Sequence, residues 1–340
     1  MRETDDQTGQ LLARARSGDG DAFAELTGQF RHELQVHCYR ILGSAADAED
    51  MLQETMMAAW RGLDRFQERS SLRAWMHAIA TNKCLNHLRA SRDAPLPAPS
   101  VPLPEPTRSG EPLWLEPYPD VLLGDLPDAA PGPEARYEAR ESVSLAFVTA
   151  LQHLPPRQRA VLVLRDVLGF RAAEAADMLS CTVDAANNLL RRARVTMADQ
   201  LPPGGRDQAP LPGSVREQQV TARFADAFER GDVAAVVALL TDDALLTMPP
   251  LPFEYQGRDI VGEFLYAVSF RQGTRRVRLV PTRSNGQPAF GRYLRDSHAP
   301  VSHAHGILVL TIAGDRVRVI TGFNDNSVLA RFGLPRTLPD

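Results

Sequence analysis

Apolar residues recur at helical spacing through residues 10–92 and again through 134–200, and from residue 214 the spacing shifts toward alternation. In DAEDMLQETMMAAW (47–60), Ala48, Met51, Leu52, Thr55, Ala59 and, just beyond it, Leu63 form one apolar stripe. Asp47, Asp50 and Glu54 fall at i, i+3 and i+7, so they share a separate, acidic face. Ser44 with Asp47 three residues on resembles a capping box and predicts where this helix opens. Ser70 or Ser71 predicts the start of another helix, with Leu72, Trp75, Met76, Ile79, Ala80, Leu85 and Leu88 on its buried side. GLDRFQERSS (62–71) is the basic loop between them.

The pattern breaks over 93–133, where twelve of 41 residues are proline. Proline removes donors and blocks both helix and sheet, so this stretch is an extended tether. Within it WLEPYPDVLL (114–123) is too apolar for a spacer and predicts a docking segment. The second helical block, 134–200, ends at another break, LPPGGRDQAPLPG (201–213). From 214 two helices are predicted over 215–240 with a corner at Gly231–Asp232, and Asp242–Asp243 reads as a helix end followed by a turn. Short apolar or alternating runs follow at 244–248, 275–283, 289–295, 305–313 and 316–323, with Gly314–Asp315 as a hairpin turn. Helices followed by strands predict an α+β domain with a curved sheet.

At 340 residues the chain is long enough for two or three domains. No apolar run of about 18 residues occurs, which argues against a transmembrane helix. The opening MRETDDQTGQ is acidic and polar, unlike a secretory signal. Cys38, Cys84 and Cys181 are odd in number and widely spaced, which fits reduced thiols in the cytoplasm. Of 38 basic residues only Lys83 is lysine, a bias of a GC-rich genome more than of function. The net charge of −4 hides an asymmetry: residues 1–60 carry −6, residues 61–92 carry +5 and the tether carries −6. Such blocks choose partners through their local fields.

LPPRQRAVLVLRDVLGFRAAEAADMLSCTVDAANNLLRRAR (154–194) holds a further signal. Pro155 and Pro156 fit a helix start, Gly169 ends that helix, and RAAEAADML is a short helix. SCT is a tight turn with Thr182 as N-cap, and VDAANNLLRRARVTM is a longer helix. This is a helix-turn-helix, whose second helix would enter a DNA major groove. Arg171, Arg191, Arg192 and Arg194 would hold phosphates, and Asn187 and Asn188 are better placed for base edges. The bland alternative is a solvated arginine face on an ordinary helix pair.

An acidic helix, a basic loop and helix, a proline tether and a helix-turn-helix, in that order, resemble a bacterial sigma factor of the sigma-70 superfamily. The extracytoplasmic-function (ECF) type, which keeps regions two and four, fits best. DAEDMLQETMMAAW and FQERSSLRAWMHAIATNKCLNHLR carry region two; LPPRQRAVLVLRDVLGFRAAEAADML and LLRRAR carry region four. The resemblance implies domains at 10–92 (region two), 93–133 (acidic linker), 134–200 (region four), 201–213 (linker) and 214–340 (appended domain). It implies that Asp47, Asp50, Gln53, Glu54 and Arg61 face core RNA polymerase, whose clamp helices and flap are the expected partners. For the −10 element it implies Phe66, Arg69, Ser71, Arg73, Asn82, Lys83, Asn86 and Arg89, with Trp75 more at home in the core. For the −35 element it implies Arg171, Thr182, Asn187, Asn188, Arg191, Arg192 and Arg194. The acidic linker resembles the segment that threads the RNA path in this family.

FADAFERGDVAAVVALLTDDALLTMPPLPFEYQGRDIVGEFL and the closing strands resemble the SnoaL-like branch of the nuclear-transport-factor-2-like superfamily, a cone-shaped α+β fold. Sigma factors with this appendage form a subset, and WLEPYPDVLL with VLARFGLP is nearest its SigG type. Some relatives of the fold move protons with a carboxylate or histidine. Here His303 and His305 alternate, which predicts one shared face, and Asp242, Asp243, Asp259 and Asp325 are the carboxylate candidates. Two histidines lack a third metal ligand, so no metal or cofactor is expected. Phe253, Tyr255, Phe264 and Phe290 would line a small-molecule pocket or form plain core. A regulatory domain is favoured over an enzyme, within a promoter-specificity subunit that helps melt DNA. The alternatives are a helix-turn-helix regulator with a ligand-sensing domain, and an isomerase or cyclase fused to DNA-binding modules. The acidic helix separates the first, which has no need of it; a buried ionisable group in the pocket would favour the second.

Overall fold

The computed structural model describes residues 2–339 apart from Arg69, 91–95, Pro97, Ser100, 124–141, 201–208 and Ser297; of residues 2–7 it describes the backbone alone. The chain forms two compact units, Met1–Ala94 with Leu123–Gln200, and Pro95–Leu122 with Leu201–Asp340.

The first unit is helical: α1 (Arg2–Arg16), α2 (Gly20–Leu42), α3 (Ala45–Gly62), α4 (Leu72–Ala90), α5 (Leu145–Gln152), α6 (Pro156–Leu162), α7 (Ala172–Met178) and α8 (Val183–Gln200). Side-chain caps set the starts. Ser44 Oγ accepts from Asp47 N at 3.1 Å, Ser71 Oγ from Ala74 N at 3.1 Å, and Thr182 Oγ1 from Ala185 N at 3.2 Å. The helix that begins at Pro156 widens into a π turn over Val163–Val167 and stops at Gly169, whose φ of +71° a side chain would resist. The apolar stripe of α3 is buried against α2 and α4.

The two helical blocks of the sequence, 10–92 and 134–200, pack together inside this unit. Arg40 Nε donates to Ser142 O at 3.1 Å. Arg159, 5% exposed, donates to Ile41 O, Gln152 Oε1 and O, and Leu154 O. These carbonyls lie at or just beyond the ends of α2 and α5, where no helical N–H follows to meet them. Its two terminal nitrogens thus meet four oxygens without a carboxylate, while its Nε has no hydrogen-bond partner.

The second unit is α+β. Its sheet orders β1 (Arg108–Ser109), β3 (Leu251–Gln256), β2 (Leu240–Met248), β7 (Arg316–Phe323), β6 (Val301–Ala313), β5 (Gln287–Arg295) and β4 (Val277–Ser284), with β8 (Thr337–Pro339) pairing β6. All pairings are antiparallel except β2 with β7. Helices α9 (Val215–Arg230), α10 (Val233–Ala238) and α11 (Arg258–Phe264) cover one face, where Phe224, Phe228, Val261 and Phe264 meet Phe290, Leu308, Leu310 and Ile312 in one core. Gly231, at φ +69°, makes the α9–α10 corner.

Three details differ from the pattern reading. Asp242 and Asp243 lie within β2 and not at a helix end, because α10 stops at Ala238. The strand β3 sits in LPFEYQ, where a proline and a glutamate hide the alternation. The tether is not free-standing: residues 101–122 pack on the C-terminal sheet. Its β1 extends the sheet beyond β3, with Gly110 N donating to Pro252 O at 2.8 Å. Further along, Leu115 is 5% exposed and Tyr118 is fully buried. Tyr118 N donates to Asn285 Oδ1, and Asn285 N donates to Tyr118 O, both at 2.9 Å. Asp120 pairs with Arg283 at 3.2 Å, and Arg283 also pairs with Glu217 at 2.6 Å. Burying each large apolar side chain in this way contributes about 1.5–3 kcal/mol, so the apolar run found its partner here.

Candidate nucleic-acid interface

On α8 the residues Asp184, Asn187, Asn188, Arg191, Arg192 and Val195 are all exposed, while Ala186, Leu190, Ala193 and Met197 are buried. The helical period therefore sorts an amide-and-arginine stripe outward and an apolar stripe inward. Thr182 caps this helix, and Ser180 takes φ +49° in the turn behind it. Arg171 is exposed at the N-cap of α7, where its own N–H donates to Glu174 Oε2 at 2.8 Å. Arg194 differs from its neighbours. Its Nε and Nη2 donate to both oxygens of Asp166 at 2.9 and 2.7 Å, and that carboxylate keeps its guanidinium above the usual range. This pair ties α8 to the π turn.

On α4, Asn82, Asn86 and Arg89 are exposed at i, i+4 and i+7, with Arg89 Nη1 donating to Asn86 Oδ1 at 2.9 Å. Lys83 leaves this stripe and pairs with Glu54 at 2.9 Å. Ser71 is exposed but serves as a cap, and Arg69 lies outside the described residues. Phe66 is 7% exposed, packed 5.0 Å from the Trp75 ring beside Leu12, Leu26 and Leu63. Stacking on a base gives about 1–3 kcal/mol, no more than Phe66 already has from burial, so in this fold it is core. Trp75 is half-buried in the same cluster, as its place on the helix suggested.

Arg73 is also committed elsewhere. Its guanidinium donates to Glu33 through Nε at 3.0 Å and through Nη2, and lies 4.5 Å from the Phe170 ring centre. Beneath it, His77 Nδ1 donates to Arg73 O at 2.8 Å, and His37 Nε2 lies 2.9 Å from Thr81 Oγ1. Burial pushes the His77 imidazole down to about 4 and His37 well below its ordinary value, so both are neutral at pH 7. Burial alone would raise the Glu33 carboxyl, but the Arg73 hydrogen bond and the charges of Arg73 and Arg40 outweigh it and hold it low.

The acidic helix α3 exposes Asp50, Gln53, Met57, Trp60 and Arg61. Asp47 and Glu54 stand partly back from that face. Asp47 lies 3.4 Å from His87 and Glu54 pairs with Lys83, so both also tie α3 to α4. Met57, 52% exposed, and Trp60, 38% exposed, belong to the same outward surface and were missed because apolar residues were assigned to the core. Their i, i+3 spacing beside Gln53 and Arg61 was the available signal.

In the second unit the four carboxylate candidates are on the surface. Asp242 pairs with Arg258 at 2.9 Å, Asp243 with Arg318 at 3.3 Å, the Asp259 side chain is 89% exposed, and Asp325 caps a turn. His303 and His305 do not form a pair on one face. A bulge between β5 and β6 intervenes, leaving His303 exposed against Asp296 at 3.2 Å and His305 half-buried. Tyr255, Phe264 and Phe290 are core, with Phe253 packed at its edge. Among the described residues no cluster of three metal-ligating side chains occurs, and no helix is long and apolar enough to cross a membrane.

Comparison with known proteins finds three family matches along the chain. Sigma-70 region 2 matches residues 26–93, Sigma-70 region 4 matches 144–197, and the SnoaL-like domain matches 221–320. The ECF RNA polymerase sigma factor SigG of Mycobacterium tuberculosis is 41% identical across 98% of this chain and 88% of its own length. SigJ of the same organism is 30% identical across 72% of each chain. The crystal structure of M. tuberculosis SigJ shares the fold, with a TM-score of 0.58 at 22% identity over 92% of this chain and 99% of that one. Carrying both sigma regions, the SnoaL-like appendage and this identity over nearly its whole length, the chain belongs to the ECF family of RNA polymerase sigma factors.

Proposed function

We propose that this protein binds core RNA polymerase through the outward face of α3, directs it to promoters, and helps to open them. In this reading Asp50, Gln53 and Arg61, with Met57 and Trp60, meet the clamp helices of the largest subunit. Asp47 and Glu54 position that face through α4. Asn187, Asn188, Arg191 and Arg192 read and hold the −35 element, with Arg171 on a phosphate and Thr182 fixing the helix start. Asn82, Asn86 and Arg89 track the −10 strand, joined by Lys83 and Arg73 when their carboxylate partners release them.

The observation that carries the reading is the presence of two outward stripes of contrasting chemistry, acidic and apolar on α3, amide and arginine on α8. An acidic face suits a basic protein groove and avoids phosphate, whereas the α8 stripe suits a major groove. A helix-turn-helix regulator working alone has no use for the first.

The C-terminal domain acts in this reading as a regulator of the linker. Residues 101–122 cannot both lie along an RNA path and remain in the sheet and hairpin contacts made by Arg108, Tyr118 and Asp120. The surface position of Asp242, Asp243, Asp259 and Asp325 removes the carboxylates that a proton-transfer enzyme would use here. Gel filtration with core polymerase tests the assignment. The full chain should co-elute, and Asp50→Ala with Gln53→Ala should reduce co-elution while leaving helicity intact. Undiminished binding by that variant would move the interface elsewhere.

A further inference from the structure

Arg292 sits where an uncompensated charge is least expected. On β5 it alternates with Gly291 and Tyr293, and so shares the helix-covered sheet face with Phe290 and Leu294. It is only 9% exposed. Its Nη2 donates to Asn324 Oδ1, while Nε is buried with no hydrogen-bond partner. Among the described residues no carboxylate pairs with it, and the charge that reaches it is another cation, Arg275. Arg159, whose Nε is likewise unpartnered, shows what a structural buried arginine looks like in this chain: three backbone carbonyls and an amide oxygen surround its terminal nitrogens. Arg292 has one acceptor. A buried guanidinium left this way is costly unless something else supplies the anion.

Two further features lie beside it. The bulge in β6 falls opposite Arg292, which pairs with Gly306, while Tyr293 pairs with Ala304, so His305 is the extra residue. His305 is half-buried, and burial with the charges of Arg292 and Arg275 pushes it down to about 3, leaving a neutral ring with one N–H to donate. Arg275 also forms part of the wall of a cavity of about 440 Å³, with Thr274, Arg276, Arg295, Asp296 and His298. That volume suits a small molecule. Its one carboxylate, Asp296, is engaged by His303 and by the backbone of His298, so the lining is net cationic.

We propose that the SnoaL-like domain binds a small molecule carrying a carboxylate or phosphate, the anionic group taken by Arg292 and Arg275, with His305 donating to it and the rest of the molecule in the adjoining cavity. Planar guanidinium groups match either anion with paired hydrogen bonds. The site is independent of the polymerase reading, because binding can be measured on the free protein.

Thermal unfolding of the full chain tests it, with inorganic phosphate and benzoate as probes against chloride at matched ionic strength. At about ten times Kd either probe should raise the midpoint of the C-terminal transition by about 3–6 °C. A response to phosphate alone assigns the phosphate, and a response to benzoate alone assigns the carboxylate; both support the site. Arg292→Met should unfold at a higher temperature than the parent without anion, since an unpaired buried charge is gone, and should lose the response. Arg275→Ala, at a partly exposed position, should fold normally and bind at least tenfold more weakly. The proposal is overturned if neither probe acts beyond chloride, or if Arg275→Ala responds as strongly as the parent chain.

Discussion

The guanidinium carbon of Arg73 lies 4.5 Å from the centre of the Phe170 ring. Arg73 belongs to the helix expected at the −10 element and Phe170 to the segment before the helix-turn-helix, so one stacking contact joins the two blocks proposed to meet DNA. A partly desolvated cation–π contact contributes about 0.5–2 kcal/mol, and the Glu33 pair adds to it. Urea unfolding of Arg73→Ala, Phe170→Ala and the double variant should give a coupling energy of about 1 kcal/mol. Strict additivity would mean that the two side chains do not support each other.

Acid should loosen the same junction. His77 titrates near 6.5 when unfolded and at about 4 in the folded protein, so between these values the unfolded chain binds more protons. Stability therefore falls as pH drops from about 6.5 to about 4, by roughly 3 kcal/mol at the acid end. His37, also depressed by burial, acts in the same direction. Glu33, held below its ordinary 4.5, adds a loss that begins only below that value. The charged and titratable groups facing His77 are Glu33, Arg73, Arg40 and His37. His77→Phe should flatten the acid limb of midpoint against pH; an unchanged slope would assign the effect to other groups.

Arg192 and Arg194 should part company in DNA binding. Arg192→Ala should weaken promoter binding and lower the salt slope by about one, as loss of one phosphate contact requires. Arg194→Ala, whose charge already answers Asp166, should change the slope by much less. Equal slopes for the two variants would remove the distinction.

The linker contact has its own clean variant. Asn285 sits at φ +57° in the β4–β5 turn and accepts from Tyr118 N, so Asn285→Gly keeps the turn and deletes the side-chain contact. Limited proteolysis within 101–122 should speed up severalfold, with little change in the unfolding midpoint. Equal cleavage rates would show that the hydrogen bond does not hold the linker.

Much of this was legible from local pattern. Ser44, Thr182, Gly169 and Gly231 mark element ends by chemistry that acts within a few residues, and the apolar run at 114–123 announced a docking partner without naming it. What escaped depends on residues far apart in sequence. Arg73 meets Glu33 and Phe170, Arg194 meets Asp166, Lys83 meets Glu54, and each pairing gives a partner within the protein to a cation that the sequence offered to DNA. The resemblance offered Phe66 to the bases, whereas α1 and α2 supply apolar partners that bury it. His305 left the expected alternation because a bulge opposite Arg292 adds one residue to the strand. Even the strand LPFEYQ became a strand through its pairing with β2, not through its own propensities.

Run-off transcription with purified core polymerase bears most directly on the polymerase and promoter roles. The full chain should start synthesis at a cognate promoter, and Asp50→Ala with Gln53→Ala should lower the yield at least tenfold without altering the start site. A chain ending after Gln200 should initiate with altered yield at the same start. No specific transcript from core enzyme with either form, at promoters drawn from its own genome, would contradict the assignment of α3 to polymerase and of α4 and α8 to DNA.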